Sequence, residues 1–301
     1  MEYKFHQHKF DNMNRYYDVI RGAMNQLGHS EVFEPYSADL NFYNHIHSFG
    51  DHRIIVKPTA PTAKHFALDL HGYANTSEIA YEDPYVYETM YSYLNPKNKM
   101  DWSIITDLIE KKSNKWDDSI LLKWRKSKIK IPEEHVLVIG QMPDDETVNG
   151  FGFGDHWKKL CMTVEFLKKF TGFDTVVKLH PSMKLRGKQK DIVDGWIQYG
   201  ITVIDGFISI HDILPKTYVA IVDNSTAGIE CLMHEVPVIS HGFPEYHWVT
   251  AKAQTLPHME SLLRDLRWHD QRKAKQFIYW YINDYLCTDI DSTVNRLKEL
   301  I

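Results

Sequence analysis

The sequence predicts an α/β protein whose second half is built around a parallel sheet. Short continuous apolar runs recur at Val136–Ile139, Thr175–Leu179, Tyr218–Val222 and Val236–Ile239, and segments of helical pattern separate them. A strand that is apolar on both faces is buried on both, as in a parallel sheet covered by helices. Each run also ends in polar or glycine-containing residues, and such sheets take ligands at the carboxyl ends of their strands. From about residue 131 the pattern is Rossmann-like.

The elements justify this in order. Residues 10–27 carry apolar and aromatic residues at helical spacing and stop at Gly28. Arg53–Val56 and His65–Leu70 are bounded by Pro or Gly and read as strands. A helix is expected over about Asp101–Lys111, after the Asn95-Pro96 turn. In the second half, helices are expected at Trp157–Phe170, Asp191–Tyr199, near Ile210, and at Thr226–His234, with a further strand at Ile201–Ile204. The expected domains are therefore 1–130, an N-terminal α/β domain; 131–256, the Rossmann-like domain; and 257–301, C-terminal helices rich in Trp and Tyr.

Composition narrows the function. The 301 residues are 43% hydrophobic and 25% charged, as in ordinary globular proteins. A formal net charge of −5 gives no bulk basic field, so no nucleic-acid partner is expected. The three cysteines, Cys161, Cys231 and Cys287, lack metal or redox spacing and read as free thiols. The polar N-terminus is unlike a signal peptide, and no apolar run nears the roughly 20 residues that span a bilayer. A cytoplasmic protein is expected. Any membrane contact would be peripheral, at the inner face, through the basic segment 123–130 (Lys123, Arg125, Lys126, Lys128, Lys130).

Four polar constellations stand at strand ends. Gly140-Gln141-Met142-Pro143-Asp144-Asp145-Glu146-Thr147 holds three successive carboxylates, one of which can accept the proton of an attacking hydroxyl; a solvated acidic turn accounts for them equally. Lys178-Leu179-His180-Pro181 places an imidazole on a proline-fixed corner, where it can donate to a phosphate or simply be structural. Asp223-Asn224-Ser225-Thr226-Ala227-Gly228-Ile229-Glu230 opens a helix, an anion site or an ordinary cap. Glu230 reads as a ribose ligand or as an exposed residue. Ser240 through Trp248, including Gly242, forms the fourth loop, a wall beside a ligand or a packed turn.

Taken together, Leu137–Thr147, Lys178–Pro181, Ser225–Leu232, Pro237-Val238 and Gly242-Phe243-Pro244 resemble the capsule polysaccharide biosynthesis family, which includes bacterial β-Kdo transferases. The resemblance covers about residues 131–250. It implies a GT-B-like fold: two Rossmann-like domains with parallel sheets facing a cleft, the N-terminal, acceptor-side domain reduced. It implies a metal-independent, inverting glycosyltransferase of hexosyl or Kdo type, with Kdo from CMP-Kdo as the expected transfer to a glycan or glycolipid hydroxyl. No cofactor beyond the nucleotide-sugar donor is implied, and no metal site. Asp145 matches the family's general base and His180 the histidine near the donor phosphate. Gly140, Gln141, Lys178, Pro181, Ser225, Thr226, Gly228, Glu230 and Gly242 match its nucleotide-binding segments. Tyr73, Asn75 and Glu78, after the strand ending at Leu70, are acceptor-side candidates.

The chain departs from the family at Glu245-Tyr246-His247-Trp248-Val249, where the family carries Gly-Trp-Gly, and at Met142-Pro143. Other readings keep the fold but use a UDP- or GDP-sugar for transfer or epimerisation, or keep the pocket without catalysis. The pairs His6-x-His8 and His45-x-His47 would suit a metallohydrolase, but they stand at no clear strand end.

Overall fold

A computed structural model describes residues 1–6, 13–33, 36–44, 52–72, 76–81, 90, 92–93, 99–114, 129–142, 155–183, 185–204 and 208–301. In chain order the strands are β1 (Glu2–Phe5), β2 (Ser30–Glu31), β3 (Leu40–Asn44), β4 (Arg53–Pro58), β5 (Phe66–Asp69), β6 (His135–Ile139), β7 (Thr175–Lys178), β8 (Thr202–Ile204), β9 (Thr217–Val222), β10 (Val238–Ser240) and β11 (Ala251–Lys252). The helices longer than one turn are α1 (Asn14–Gln26), α2 (Ser103–Glu110), α3 (His156–Phe166), α4 (Lys188–Gln198), α5 (Ala227–Met233), α6 (Leu256–Arg264), α7 (Gln271–Trp280) and α8 (Ile290–Leu300). They form two compact units, one of Met1–Asp101, Ser113–Trp116 and Tyr279–Ile301, the other of Trp102–Lys112 and Asp117–Ile278. The C-terminal helices, expected as a group of their own, are thus shared: α6 and most of α7 belong to the second unit and α8 to the first. Likewise α2 counts with the second unit although it precedes residue 131.

The first unit holds a sheet of order β2-β1-β3-β4-β5. It departs from the all-parallel expectation at one edge, where β5 runs antiparallel to β4. Only residues 59–65 join those strands, too few for the crossover that parallel neighbours need. On α1, Tyr16, Tyr17, Ile20, Ala23 and Met24 recur at helical spacing and are buried. They pack with Phe42, Ile54, Phe66, Leu68 and, from α8, Val294 and Leu297. Asp289 and Ser292 start α8 with a reciprocal capping box.

A polar knot ties α8 to the end of β5. The Arg296 guanidinium, 4% exposed, donates to Leu68 O at 3.3 Å, Glu78 Oε2 at 2.6 Å and Glu299 Oε2 at 2.9 Å. Asp69 is buried beside it and accepts from the amides of His71, Gly72 and Glu78 and from the Tyr285 hydroxyl. Burial pushes its carboxyl up, against those amide bonds. A buried charge persists only when its lone pairs are satisfied, and here every bond also shapes the turn after β5.

The second unit holds a fully parallel sheet of order β11-β10-β9-β6-β7-β8. The chain starts in the centre at β6, runs outward through β7 and β8, then returns to build β9, β10 and β11 on the other side. Between β6 and β9 the direction of winding reverses, which makes their carboxyl ends the topological switch point. All five residues of β6 are buried, as the apolar run requires. Leu160, Val164, Val193, Trp196, Met259 and Leu263 from α3, α4 and α6 join Val136, Val138, Val177, Ile221 and Ile239 in one core. Asp155 caps α3 by accepting from Lys158 N at 3.1 Å. The helix widens into a π turn over Leu167–Thr171 and stops at Gly172, whose φ of 77° suits glycine.

Candidate functional site

The carboxyl ends of β10, β9, β6 and β7 lie side by side along one edge of the second sheet, and Gly140–Met142 of the first constellation stand there with the other three. Gln141 follows β6. Its side-chain Oε1 accepts from Asn224 N at 2.8 Å, which laces the end of β6 to the end of β9 across the switch point. Its own amide donates to His156 Nε2 at 2.9 Å. That bond fixes the histidine tautomer: Nε2 is an acceptor, so Nδ1 carries the proton and donates to Asp223 Oδ2 at 3.2 Å. Lys159, one turn into α3, donates to the same Oδ2 at 2.6 Å.

Asp223 is 4% exposed. Burial raises its carboxyl, yet the bonds from His156 and Lys159 and the Lys159 charge outweigh it and hold the group below its usual value. The carboxylate is therefore charged at neutral pH. Among the described residues no donor reaches its second oxygen, Oδ1. His241, after β10, stands close by with Nε2 3.2 Å from Thr163 Oγ1, and burial lowers its pKa, keeping the ring neutral.

After β7 the chain turns at His180-Pro181, closed by a bond from Met183 N to His180 O. His180 Nδ1 accepts from Ser182 N at 3.1 Å, so the proton of the neutral ring sits on Nε2, a donor. Lys178 is buried, and its ammonium donates to Leu179 O at 3.3 Å. Gly140 sits between these strands, its amide bonded to Lys178 O.

The loop after β9 is held by its own side chains. Asn224 Oδ1 accepts from Phe243 N at 2.6 Å, and Ser225 Oγ accepts from Ala227 N at 3.2 Å. The expected cap at Ser225 is thus a turn bond just ahead of the helix; Thr226 occupies the cap position without a side-chain bond. The buried Tyr246 hydroxyl donates to Ser225 O. Two glycines make this packing possible. A Cβ on Gly228 would stand 2.1 Å from the Tyr246 oxygen, and one on Gly242 2.1 Å from Asn224 Oδ1. Close packing of this loop accounts for both. Glu230 is buried within α5 and is not the exposed residue that the sequence left open.

Asp145, Tyr73 and Asn75 lie outside the described residues, as do Lys123 through Lys128 and His8, His45 and His47. Glu78 is described, and its carboxylate is engaged with Arg296. His6 bonds to Asn41 and stacks on Tyr43. All three cysteines are free. Among the described residues no group of three His, Cys, Asp or Glu side chains is placed to hold a metal ion. Nor is any of their helices long and apolar enough to cross a membrane. Sequence reasoning gave no role to His156, Lys159 or Thr163, and took Asp223 and Tyr246 only as members of their strand-end loops. The mark of Asp223 was there, a carboxylate closing an apolar strand, but its partners lie 67 and 64 positions away.

Fold and site define a class: a GT-B-like α/β protein of two units with parallel-dominated sheets, the second Rossmann-like in topology. Two solved structures from Thermosulfurimonas dismutans share it over nearly their whole length. KpsC, beta Kdo 2,4 transferase, matches with a TM-score of 0.57 at 15% identity, covering 99% of this chain and 98% of that one. KpsC, beta Kdo 2,7 transferase, matches with a TM-score of 0.56 at 14% identity, covering 99% of each chain. Comparison with the curated proteins finds no match. The family model described as capsule polysaccharide biosynthesis protein matches residues 66–288, and the chain belongs to that family.

Proposed function

We propose that this chain is an inverting glycosyltransferase that moves Kdo from CMP-Kdo to a hydroxyl of a glycan or glycolipid. The observation that carries the reading is the row of strand ends at the switch point, where His180 and Ser225 stand along one edge of a parallel sheet. Family membership and the titles of the two KpsC structures support the choice of reaction and sugar.

In this reading the acceptor oxygen attacks the anomeric carbon as the bond from that carbon to the phosphate oxygen breaks, and the transition state is oxocarbenium-like. Asp145 takes the acceptor proton. The electron pair leaves with CMP, and His180 and Ser225 donate to the phosphate oxygens as their charge grows. Gln141 holds Asn224, and so the Ser225 loop, against the end of β6. CMP leaves with one phosphate and needs less charge stabilisation than a diphosphate, so a metal is not obligatory.

The test is transfer from CMP-Kdo, scored alongside CMP, UDP and GDP in a thermal-shift panel. Asp145→Asn abolishes transfer and leaves CMP binding nearly intact; His180→Ala slows transfer about 10²-fold or more. Normal turnover in Asp145→Asn removes the base assignment, and stabilisation by UDP or GDP rather than CMP removes the donor.

A further inference from the structure

His156 opens α3, one residue after its cap Asp155, and is buried. Both of its ring nitrogens are engaged, Nδ1 with Asp223 Oδ2 at 3.2 Å and Nε2 with Gln141 N at 2.9 Å. Gln141 Oε1 in turn accepts from Asn224 N at 2.8 Å, and Asn224 follows Asp223 directly in the chain. The bonds close a circuit, Asp223–His156–Gln141–Asn224, that joins the ends of β6 and β9 to the first turn of α3.

The circuit spans the middle of the sheet. β6 lies between β9 and β7, so the spacing of Ser225, after β9, from His180, after β7, is set across the end of β6. On the β7 side, Gly140 N donates to Lys178 O at 2.9 Å. On the β9 side, Phe243 N donates to Asn224 Oδ1 and the Tyr246 hydroxyl to Ser225 O, and both bonds draw the loop toward the chain after β10, away from His180. The bond from Asn224 N to Gln141 draws it the other way. Its acceptor is a side-chain oxygen, which keeps one position only while the main chain beneath it does. Gln141 stands two positions past the last residue of β6, and there His156 Nε2 receives its amide. A buried amide left without an acceptor is costly, so loss of Nε2 forces this turn to move.

We propose that His156 is a positioning residue for glycosyl transfer: by holding Gln141 through Nε2 it fixes the Ser225 loop at its working distance from His180. The proposal rests on the transferase reading, in which Ser225 and His180 donate to one phosphate. His156, buried with both nitrogens engaged, acts on that phosphate only through Gln141.

Two substitutions divide the bonds of the ring between them. The amide nitrogen of Asn lies as many covalent bonds from Cα as Nδ1 does, and the amide oxygen of Gln as many as Nε2. His156→Asn therefore keeps a donor for Asp223, and His156→Gln keeps an acceptor for Gln141 N. Each loses one bond of the circuit, and a histidine that merely stabilises the fold gives no reason for turnover to follow one bond rather than the other. With CMP-Kdo as donor, His156→Asn lowers kcat about tenfold or more and leaves KM within about twofold, because the groups it misplaces act on charge that grows in the transition state. His156→Gln recovers most of that loss. Hydrogen exchange read by mass spectrometry over residues 222–228 follows the same circuit with no donor present: exchange at the Asn224 amide quickens in His156→Asn and not in His156→Gln. Gln141→Met leaves the backbone bond to His156 and removes the oxygen that Asn224 N needs, so it repeats the kcat loss of His156→Asn. Equal kcat in the two histidine variants overturns the proposal, as does unaltered exchange at Asn224 in His156→Asn. Wild-type kcat in Gln141→Met overturns it even if neither histidine variant folds. Wild-type protein without CMP-Kdo turnover removes the transferase reading instead, and the exchange measurement still decides whether His156 sets the loop.

Discussion

Replacing Asp223 by Ala cuts the network at its hub. Two charge-assisted bonds disappear, from His156 at 3.2 Å and Lys159 at 2.6 Å. Bonds to charged groups contribute about 1.5–3 kcal/mol each. Lys159 is 22% exposed and recovers part of its loss from water, whereas His156 is 4% exposed and cannot. Relief from burying the carboxylate returns some of the rest, and a net loss of about 2–4 kcal/mol follows. Urea unfolding read by tryptophan emission measures it, because Trp157, Trp196, Trp248 and Trp268 all lie in this unit. Lys159→Met, alone and combined with Asp223→Ala, completes a cycle whose coupling should be about 1–2 kcal/mol. The sign with pH is fixed as well. A carboxyl held below its unfolded value of about 3.9 stabilises above that pH, and the contribution fades as pH falls through the folded value. The gap between wild type and variant is therefore constant from about pH 5 to 8 and closes below about pH 4. An unchanged midpoint at pH 7, zero coupling, or a gap that widens in acid would refute the network.

Gly228→Ala should lower stability by about 1–3 kcal/mol, because the new Cβ meets the Tyr246 ring, and should weaken CMP binding by displacing the Ser225 loop. Calorimetry and CMP titration check it; a melting point within a degree of wild type contradicts the packing. Arg296→Met leaves the Glu78 carboxylate and Leu68 O without their donor and should cost about 3–5 kcal/mol, with part recovered in the Arg296→Met, Glu78→Gln double variant. Equal loss in single and double variants would show that the charge pairing is immaterial. Burial lowers the buried His65 to about 4, against 6.5 unfolded. Its neutral form then stabilises fully above about pH 6.5, and up to about 3 kcal/mol is lost as pH falls toward 4. His65→Gln should flatten that part of the stability profile, and an unaltered slope would contradict it.

The central strands of the second sheet were legible because their physics is local. A run such as Val136–Ile139 is apolar on both faces wherever it is buried, and all of β6 is buried. The edges were not. β11 has two residues and β2 two, so their pairing is set by the neighbouring strand rather than by their own pattern. β3 alternates buried and half-buried residues, but its Leu-Asn-Phe-Tyr-Asn mixes polar and aromatic groups in a way that also suits a loop. The antiparallel turn of β5 follows from the length of a connection, a feature that a parallel template overrides. At the site, the strand-end motifs were legible as positions and not as partners. Gln141 stood out as a ligand candidate, yet its oxygen is committed to Asn224 N. Gly228 and Gly242 stood out as ligand-facing glycines, yet Tyr246 and Asn224 account for them.

The transferase reading depends on a nucleotide lying along the carboxyl edge of the six-stranded sheet, and a crystal structure of the chain with CMP measures that directly. A phosphate oxygen is expected about 3 Å from His180 Nε2, and another within hydrogen-bond reach of the Ser225 hydroxyl. CMP bound anywhere else with both groups left to solvent, or no CMP bound at millimolar concentration, would contradict it.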